Sequence, residues 1–409
     1  MSKLEETLQK KESFSSVEEE RFIPFCAPTI EDEEIAEVLE TLKSGWITTG
    51  KKVLKFEEMF KERLNASHAI SVNSATSAWQ LVAKAIGIGP GDEVIIPAIT
   101  WPSVANVVEL LGATCVFADV DPISLQVLPE SIASLVSERT KAIIPVHFAG
   151  APFDIDAVKS IIDGKGIYLI EDAAHAIGTC YKGVEIGSSN SITIFSFHPI
   201  KNITTGEGGM IICNDDDLAE RIRRLRFHGI SKDAWKRYAK GGSPEYEVLE
   251  PGYKFNMMDL QAALGIAQFP KLDRFNQRRS EIAALYTKSL VGVDGINLLV
   301  NDAYDHVHTW HLYIIQLDLA KLKIDRNEFI LLLGERNIGA GLHFPAIHLM
   351  SYYKEKYKYT PTDLPNATKM GKSILSLPIF PSMKDDDVKR VTRVVKEVFN
   401  DNLIKEIES

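Results

Sequence analysis

Apolar runs alternate with helical stretches along the first half of the chain. Runs typical of buried strands lie at residues 93–96, 115–118, 142–146, 167–170, 192–197 and 210–213. The intervening segments 77–86 and 104–111 have helical periodicity. Strands that alternate with helices are typical of a wound, mostly parallel sheet with helices on both faces. Only a polar, glycine-rich loop separates the last two strands, so we expect no helical crossover between them.

The rest of the chain mixes helices with a few strands. The sequence Thr29-Ile-Glu-Asp32 has the pattern of a capping box that begins a helix, and Gly45 is its expected end. Helical periodicity returns at 259–290 and 386–399, whereas 311–317 predicts a strand. One buried stripe is expected on the first helix, formed by Ile35, Val38, Leu39 and Leu42. We predict three segments: an N-terminal extension at 1–24, a large domain at 25–270 and a small domain at 271–409.

The composition excludes several classes of protein. Hydrophobic residues make up 45% and charged residues 25% of the 409 positions, as in ordinary globular proteins. No apolar run approaches the roughly 18 residues that span a bilayer, and the polar N-terminus does not resemble a secretory signal. The four widely spaced cysteines predict reduced thiols in a cytoplasmic protein and no metal site. A net charge of −10 argues against nucleic-acid binding, but a phosphorylated small ligand needs only local donors.

A lysine lies on the loop between the last two predicted strands, in the stretch Phe195-Ser-Phe-His-Pro-Ile-Lys201 that continues to Gly209. A solvated loop lysine is the ordinary interpretation of such a position. The functional alternative is a Schiff-base lysine, whose amine must be partly desolvated to act as a nucleophile. This loop alone does not decide between the two interpretations.

A carboxylate ends the apolar strand that leads into Glu171-Asp-Ala-Ala-His175. Ligands of wound α/β sheets bind at the carboxyl ends of strands, and a buried acid there needs a cationic partner. A protonated pyridine nitrogen would be such a partner. The alternatives are a turn or capping role for Asp172 and a hydrogen-bonded core position for His175.

Small hydroxylated residues precede a helical stretch at Asn73-Ser-Ala-Thr-Ser77. The free N–H groups at such a helix N-terminus can hold a phosphate, although plain N-capping explains the same residues equally well. With Asp172 and Lys201, this segment completes a set in chain order: a phosphate holder, an acid for a ring nitrogen, and a Schiff-base lysine.

In that order, these segments resemble the DegT/DnrJ/EryC1/StrS family of sugar aminotransferases from about residue 25 to the C-terminus. The resemblance implies an α/β fold of the aspartate-aminotransferase type (fold type I), with a mostly parallel seven-stranded sheet flanked by helices and a smaller C-terminal α/β domain. The segments that carry it are Ser44-Gly-Trp-Ile-Thr-Thr-Gly50, Gly91-Asp-Glu-Val-Ile, Thr140-Lys-Ala-Ile-Ile-Pro-Val-His-Phe-Ala-Gly150, Glu171-Asp-Ala-Ala-His175, Ser196-Phe-His-Pro-Ile-Lys201, Thr205-Gly-Glu-Gly-Gly209, Pro251-Gly-Tyr-Lys-Phe-Asn256 and Gly341-Leu-His343-Phe.

The resemblance implies pyridoxal 5'-phosphate as cofactor. Lys201 would bind it covalently, Asp172 would pair with its pyridine nitrogen, His175 would lie near its phenolic oxygen, and Trp101 would stack on its ring. Its phosphate would be bound by Ser74, Ala75 and Ser196, and by Asn256 of a second subunit. A homodimer with shared active sites is therefore implied. Without the resemblance, Trp101 would be interpreted as a core residue and Asn256 as a loop residue.

The implied reaction moves an amino group from L-glutamate, which leaves as 2-oxoglutarate, to a nucleotide-linked keto sugar. Within the family, the shared phrases are closest to those of the enzyme that makes UDP-4-amino-4-deoxy-L-arabinose, which predicts a UDP-4-keto sugar aminated at C4. Pro345 departs from an expected arginine, and Thr205-Gly206 departs from a Cys-Ala pair. The alternatives are dTDP- or GDP-linked keto sugars aminated at C3 or C4.

Two functions other than amino transfer are alternatives for this fold. Sugar 3-dehydratases of the family carry a histidine at the lysine position, and Lys201 argues against that reaction. A non-enzymatic regulator or ligand sensor is the second alternative, and retention of the lysine, acid and phosphate set argues against it.

Binding of a pyrophosphate to an acidic protein requires a local basic cluster. The stretch Arg221-Ile-Arg-Arg-Leu-Arg226-Phe-His228, with Lys232, Lys236 and Arg237, could supply it, although a solvated helix face is the ordinary interpretation. The histidines His343 and His348 flank Pro345 and could contact sugar hydroxyls. The substrate candidates are therefore Arg226, His228, His343 and His348.

Overall fold

The computed structural model describes residues 21–231, 246–300 and 303–404. Its strands are β1 (His68–Val72), β2 (Glu93–Pro97), β3 (Thr114–Ala118), β4 (Thr140–Ile143), β5 (Tyr168–Asp172), β6 (Cys180–Tyr181), β7 (Val184–Glu185), β8 (Ile192–Ser196), β9 (Gly209–Cys213), β10 (Ile296–Leu298), β11 (His306–Val307), β12 (Tyr313–Leu317) and β13 (Ile374–Leu377). Its helices are α1 (Asp32–Ser44), α2 (Lys51–Leu64), α3 (Ala75–Ala85), α4 (Ser103–Leu110), α5 (Pro129–Leu135), α6 (Ile155–Ile162), α7 (Asp216–Arg226), α8 (Asp259–Gln268), α9 (Leu272–Leu290), α10 (Arg326–Glu335), α11 (Ser351–Tyr357), α12 (Pro365–Ser373) and α13 (Asp385–Asp401).

A seven-stranded sheet in the order β1-β9-β8-β5-β4-β2-β3 forms the centre of the fold. The pairs among β2, β3, β4, β5 and β8 are parallel, whereas β9 is antiparallel to both β8 and β1. The predicted, mostly parallel sheet is therefore confirmed, and so is the expectation of no helical crossover between β8 and β9. The edge strand β1 was not predicted.

Both faces of this sheet are buried, which explains the nearly continuous apolar runs in the sequence. Successive residues of β2 show the alternation: Val94 and Ile96 belong to one apolar cluster and Ile95 to another. On β8, Ile194 and Phe195 divide in the same way. Helices therefore cover the sheet on both sides, as expected for fold type I.

The C-terminal part contains a second, antiparallel sheet in the order β10-β12-β13. A third apolar cluster joins this sheet to α9, α10 and α13. The predicted helix at 386–399 is present as α13, with its valines buried. The predicted domain boundary near residue 270 falls in the 3-10 turn Phe269–Lys271 and stays a prediction.

The first helix corrects two expectations. It begins after Glu31, whose backbone N–H donates to Glu34 Oε2 at 2.7 Å, whereas the Thr29 hydroxyl is buried without a partner among the described residues. The predicted buried stripe is wrong for a single chain, because Ile35 is 60% exposed and the other apolar residues of α1 are also accessible. The buried side of α1 carries Glu34 and Thr41 instead.

Among the described residues, no helix combines the length and the apolar character needed to cross a membrane.

Candidate active site

A cavity of about 410 Å³ opens at the carboxyl ends of the central strands. Asp172 ends β5, Ser196 ends β8, and Ser74 follows β1. Ligands of wound sheets bind at this edge. The lining residues are Ser74, Ala75, Thr76, Trp79, Thr100, Trp101, Ser103, Val146, Asp172, Ala174, His175, Ser196, His198, Ile200, Lys201, Glu207, His343 and Phe344.

The loop between β8 and β9 places Lys201 in this cavity. Its backbone N–H donates to His198 O at 2.8 Å, and the next residue, Asn202, donates through Nδ2 to Thr309 O at 3.0 Å. The side chain is half-buried because it faces the cavity. Burial lowers the pKa of Lys201 to about 8, although Asp172 opposes this shift. A substantial fraction of the amine is therefore neutral and nucleophilic near that pH.

Asp172 presents a buried carboxylate that lacks a cationic side chain at ion-pair distance within the described parts of the chain. Its Oδ1 accepts a hydrogen bond from the N–H of Ala174 at 3.0 Å. Burial raises the pKa of Asp172 above its ordinary value. The preceding residue, Glu171, is different: its Oε2 lies 2.9 Å from His147 Nε2, and this pairing lowers the pKa of Glu171 despite its burial. Asp172 is thus the acid that remains available to a cationic ligand.

The N-terminus of α3 forms another wall of the cavity. Ser74 is the N-cap, and its Oγ accepts a hydrogen bond from the N–H of Ser77 at 3.1 Å. A Cβ atom at Gly209 would lie 2.9 Å from Ala75 N, so a glycine lets β9 approach this helix end closely. Ser74 therefore caps the helix and lines the cavity, and the two interpretations of the sequence are compatible.

Aromatic rings enclose the remaining sides. His175 is buried, its Nδ1 accepts a hydrogen bond from the N–H of Ala149 at 3.3 Å, and burial holds its pKa well below the ordinary value. Trp101 is 60% exposed, so it is a rim residue and not a core residue. Its ring centroid lies 5.8 Å from that of Phe344. His343 Nδ1 lies 2.9 Å from Ser376 Oγ, and burial lowers the pKa of His343 to about 3.

Of the four substrate candidates, only His343 is among the described residues that line the cavity. Arg226 is buried, and its Nη1 lies 2.7 Å from Glu57 Oε1, so its charge is used inside the fold. His348 is a core histidine whose Nε2 lies 3.2 Å from Thr368 Oγ1. His228 is exposed after α7 and is not among the described residues that line the cavity. The structure of the single chain thus does not support a sugar contact by Arg226 or His348.

Ion pairs within the chain also occupy much of the positive charge of the predicted basic cluster. Arg221 Nη2 and Arg224 Nη2 bind the two carboxylate oxygens of Glu250 at 3.0 and 2.7 Å. Arg223 Nη1 lies 3.5 Å from His68 Nδ1, and Lys232, Lys236 and Arg237 lie outside the described residues. Two of the four arginines of α7, Arg221 and Arg224, therefore attach this helix to the segment that carries Glu250.

Asn256 does not line the cavity of its own chain, as far as the structure describes it. Its Nδ2 donates to Thr49 Oγ1 at 2.5 Å, and its Oδ1 accepts from Lys254 Nζ at 2.6 Å. Through Thr49, Asn256 therefore contacts the segment that begins at the exposed Trp46, although the two are distant in sequence.

Several cavity residues were not found from the sequence. His198 and Glu207 face each other across the rim, with 3.9 Å between Nε2 and Oε1. His311 is not among the described lining residues, but its Nε2 lies 3.5 Å from the amine of Lys201. His198 and Glu207 belong to the motifs around the lysine, which could have indicated them. His311 lies two residues before β12, more than 100 positions away in sequence, and no local pattern connects it to Lys201.

Comparisons with known proteins agree with this geometry. Residues 28–396 match the DegT/DnrJ/EryC1/StrS aminotransferase family. The chain is 47% identical over 379 residues to the spore coat polysaccharide biosynthesis protein SpsC of Bacillus subtilis, covering 92% of this chain and 97% of that protein.

Solved structures are similar over nearly the whole chain. The sugar aminotransferase Spr1654 of Streptococcus pneumoniae, known in PLP and PMP forms, has a TM-score of 0.85; its PMP form is 31% identical and covers 93% of this chain and 98% of that one. PseC of Helicobacter pylori, an aminotransferase involved in the biosynthesis of pseudoaminic acid, has a TM-score of 0.86 at 28% identity, with 93% of this chain and 100% of that one covered.

Proposed function

The chain belongs to the DegT/DnrJ/EryC1/StrS aminotransferase family and is a pyridoxal-phosphate-dependent sugar aminotransferase, and from this premise we propose that it aminates a UDP-linked 4-keto sugar at C4. We further propose L-glutamate as amino donor and 2-oxoglutarate as the product that leaves. The similarity to SpsC supports a role in the biosynthesis of an amino sugar for a polysaccharide. Four free cysteines support a cytoplasmic location.

One observation carries this proposal: three chemically different groups converge on one cavity. Lys201 offers a buried amine with a lowered pKa, and Asp172 offers a buried carboxylate without a cationic side chain at ion-pair distance in the described chain. The N-terminus of α3 offers backbone N–H groups at Ser74 and Ala75. These three fit the aldehyde, the ring nitrogen and the phosphate of pyridoxal phosphate, in that order.

Pyridoxal phosphate supplies an electron sink for the carbanion that forms when the α-proton of the amino donor leaves, and it stores the amino group between half-reactions. Lys201 would hold the cofactor covalently through Nζ. After displacement by the donor, the same amine would carry the proton between the donor's α-carbon and C4' of the cofactor. Asp172 would keep the ring nitrogen protonated, because an adjacent carboxylate stabilises that charge.

We assign the sugar to the part of the cavity that contains His343, which is polar and largely uncharged. His343 is held neutral by burial, and Thr100, Ser103 and His198 add hydroxyl and imidazole groups. No arginine is among the described residues that line the cavity. Pro345 offers neither charge nor donor beside this part of the cavity, so we expect a neutral or deoxygenated sugar to be favoured over the arabinose precursor.

The test is a screen with purified enzyme and glutamate. The acceptors are the UDP-4-keto pentose and the UDP- and dTDP-linked 4-keto-6-deoxyhexoses, and the new amine is located by NMR. We expect amination at C4 of a UDP-linked sugar, with the 6-deoxyhexose preferred. Amination at C3, or use of dTDP-linked sugars alone, would contradict the substrate proposal while leaving the aminotransferase activity unaffected.

A homodimer with shared active sites is part of the proposal. An apolar surface surrounds the segment that contacts Asn256: Trp46 is 53% and Ile47 is 48% exposed, three and two residues before Thr49. The accessible apolar residues of α1, Ile35 and Leu39, adjoin it in sequence. Burial of this surface by a second copy would remove apolar area from water and would bring Asn256 to a subunit boundary.

We expect Asn256→Ala to weaken cofactor retention and Lys201→Ala to abolish turnover, each in its own homodimer. Mixed dimers of the two variants would contain one site with both residues intact. Random exchange should restore about a quarter of the parent activity, because half of the dimers would each carry one working site. Subunit exchange is verified by native mass spectrometry. If exchange is complete and the activity does not rise above the mean of the two homodimers, Asn256 does not act across the interface.

A further inference from the structure

Four histidines lie near the amine of Lys201. His175, His198 and His343 line the cavity, and each of their side chains interacts electrostatically with the lysine. The fourth, His311, is not among the described residues that line the cavity, and neither the motifs nor the reaction described above uses it.

The fold holds the His311 ring firmly. The residue is 2% exposed and directly precedes the residues that lead into β12. Its carbonyl oxygen accepts a hydrogen bond from Arg279 Nη1 at 3.3 Å, and the next residue, Leu312, donates through its N–H to Ala149 O at 3.2 Å. The ring centroid lies 4.3 Å from that of His175. His311 Nε2 therefore has a fixed position, 3.5 Å from Lys201 Nζ.

The other ring nitrogen is unusual for a structural histidine. Nδ1 of His311 is buried and has no hydrogen-bond partner among the described residues. Buried polar atoms are nearly always paired, and an unpaired one at an active site calls for an explanation. Among the described residues, the amine of Lys201 is thus the hydrogen-bond partner found for the His311 ring.

We propose that His311 is a positioning residue, whose Nε2 accepts a hydrogen bond from Lys201 Nζ and holds the amine in place whenever it is not bonded to the cofactor. This inference rests on the proposed role of Lys201. The free amine must move a proton twice in each catalytic cycle, and a side chain with four rotatable bonds would otherwise sample many positions.

The protonation states are consistent with this arrangement. Burial and the nearby positive charges hold the pKa of His311 well below its ordinary value, so its ring is neutral. An ammonium has only donors, so Nε2 must be the bare nitrogen and Nδ1 must carry the proton. Other groups also face the amine and contribute to its charge state: Asp172, Cys26, His175, His198 and His343.

Two amide variants distinguish the hydrogen bond of His311 to Lys201 from the mere presence of a polar side chain at this position. The amide of His311→Gln reaches the place of Nε2 and can still contact Lys201, whereas the shorter amide of His311→Asn reaches only the place of Nδ1. Both are neutral and polar. Thermal unfolding of the full-length variants establishes that each is folded before it is compared.

The first readout does not depend on turnover. Cofactor-free protein is mixed with pyridoxal phosphate across about pH 6 to 10, a range centred on the lowered lysine pKa. The adduct on Lys201 is trapped with borohydride and quantified by mass spectrometry. The rate should rise with pH, because the neutral amine is the nucleophile, with a midpoint near the lysine pKa of about 8. Loss of an acceptor disfavours the ammonium, so His311→Asn should lower this midpoint by about half a pH unit, a threefold change in the dissociation constant. His311→Gln should retain the parent midpoint.

The second readout divides binding from proton transfer. In His311→Asn we expect kcat to fall about tenfold with KM within about twofold, because positioning acts in the transition state more than in substrate binding. His311→Gln should recover most of this loss.

The outcomes are distinguishable. An adduct on a different lysine would overturn the role of Lys201 and with it the proposed function. An adduct on Lys201 with the same midpoint and kcat in the parent, the asparagine variant and the glutamine variant would overturn the role of His311 alone. If either variant fails to fold, the proposal is tested by the tautomer of His311 in the parent protein, measured by ¹⁵N-histidine NMR. A proton on Nδ1 supports the proposal, and a proton on Nε2 at neutral pH contradicts it.

Discussion

Lys201→Ala should reduce turnover by at least about 10⁴-fold, because the substitution removes the nucleophile and the proton carrier together. The buried position of the amine and its lowered pKa make it the group in the cavity that can serve both roles. The variant should still fold and bind pyridoxal phosphate through the remaining contacts. The measurement is amination of the keto sugar by mass spectrometry, beside the visible spectrum of the cofactor.

Two controls make this result specific. Lys201→Arg keeps a cation in the cavity but cannot offer a neutral nucleophile, so it should be about as inactive as the alanine variant. Lys165→Ala removes an exposed lysine and should leave turnover unchanged. Turnover of Lys201→Ala within about tenfold of the parent, well inside the range that general acid–base catalysis alone provides, would remove Lys201 from the mechanism.

Asp172→Asn should retain the cofactor yet react about 10² to 10³ times more slowly, the range lost when one electrostatic partner of a reacting centre is removed. A neutral amide cannot keep the ring nitrogen protonated, so the electron sink would be weaker. The loss should appear in the proton-transfer step. Stopped-flow measurement of the cofactor's spectral change after addition of glutamate follows this step directly.

The neighbouring acid provides a matched control. Glu171 and Asp172 are both buried, but successive residues of a strand point to opposite faces, and Glu171 pairs with His147. Glu171→Gln should therefore destabilise the fold by about 3 kcal/mol through loss of a buried pair, while the folded fraction reacts nearly normally. Equal losses of proton-transfer rate in the two variants would leave Asp172 with a structural role.

The sequence was informative about the central sheet because its strands are buried on both faces. Such strands appear as short apolar runs between turn residues, and β2, β3, β4, β5, β8 and β9 were found in this way, although β4 begins and ends earlier than predicted. The strand β1 was missed because it contains Ser71 and is followed at once by a polar helix start. The apolar stripe of α1 was identified from its spacing, but spacing does not reveal whether the covering surface belongs to the same chain.

The site could be assembled where the fold itself brings residues together. Asp172 lies at the carboxyl end of a predicted strand and Lys201 lies on the loop after the next one, so their proximity could be expected from the sheet topology. The position of Ser74 depends on β1, which was not predicted, so its place beside them rested on the resemblance to the family. Arg226 and His348 were proposed as substrate contacts from residue type alone. Their partners, Glu57 and Thr368, are set by tertiary packing, which a local pattern does not contain.

The most direct test of the central claim is to locate the covalent link between the cofactor and the chain. The purified enzyme, loaded with pyridoxal phosphate, is reduced with borohydride, digested, and mapped by tandem mass spectrometry. We predict a single phosphopyridoxyl group on Nζ of Lys201, and its loss when glutamate is added before reduction. A group on any other lysine, or a link that glutamate does not displace, would contradict the account.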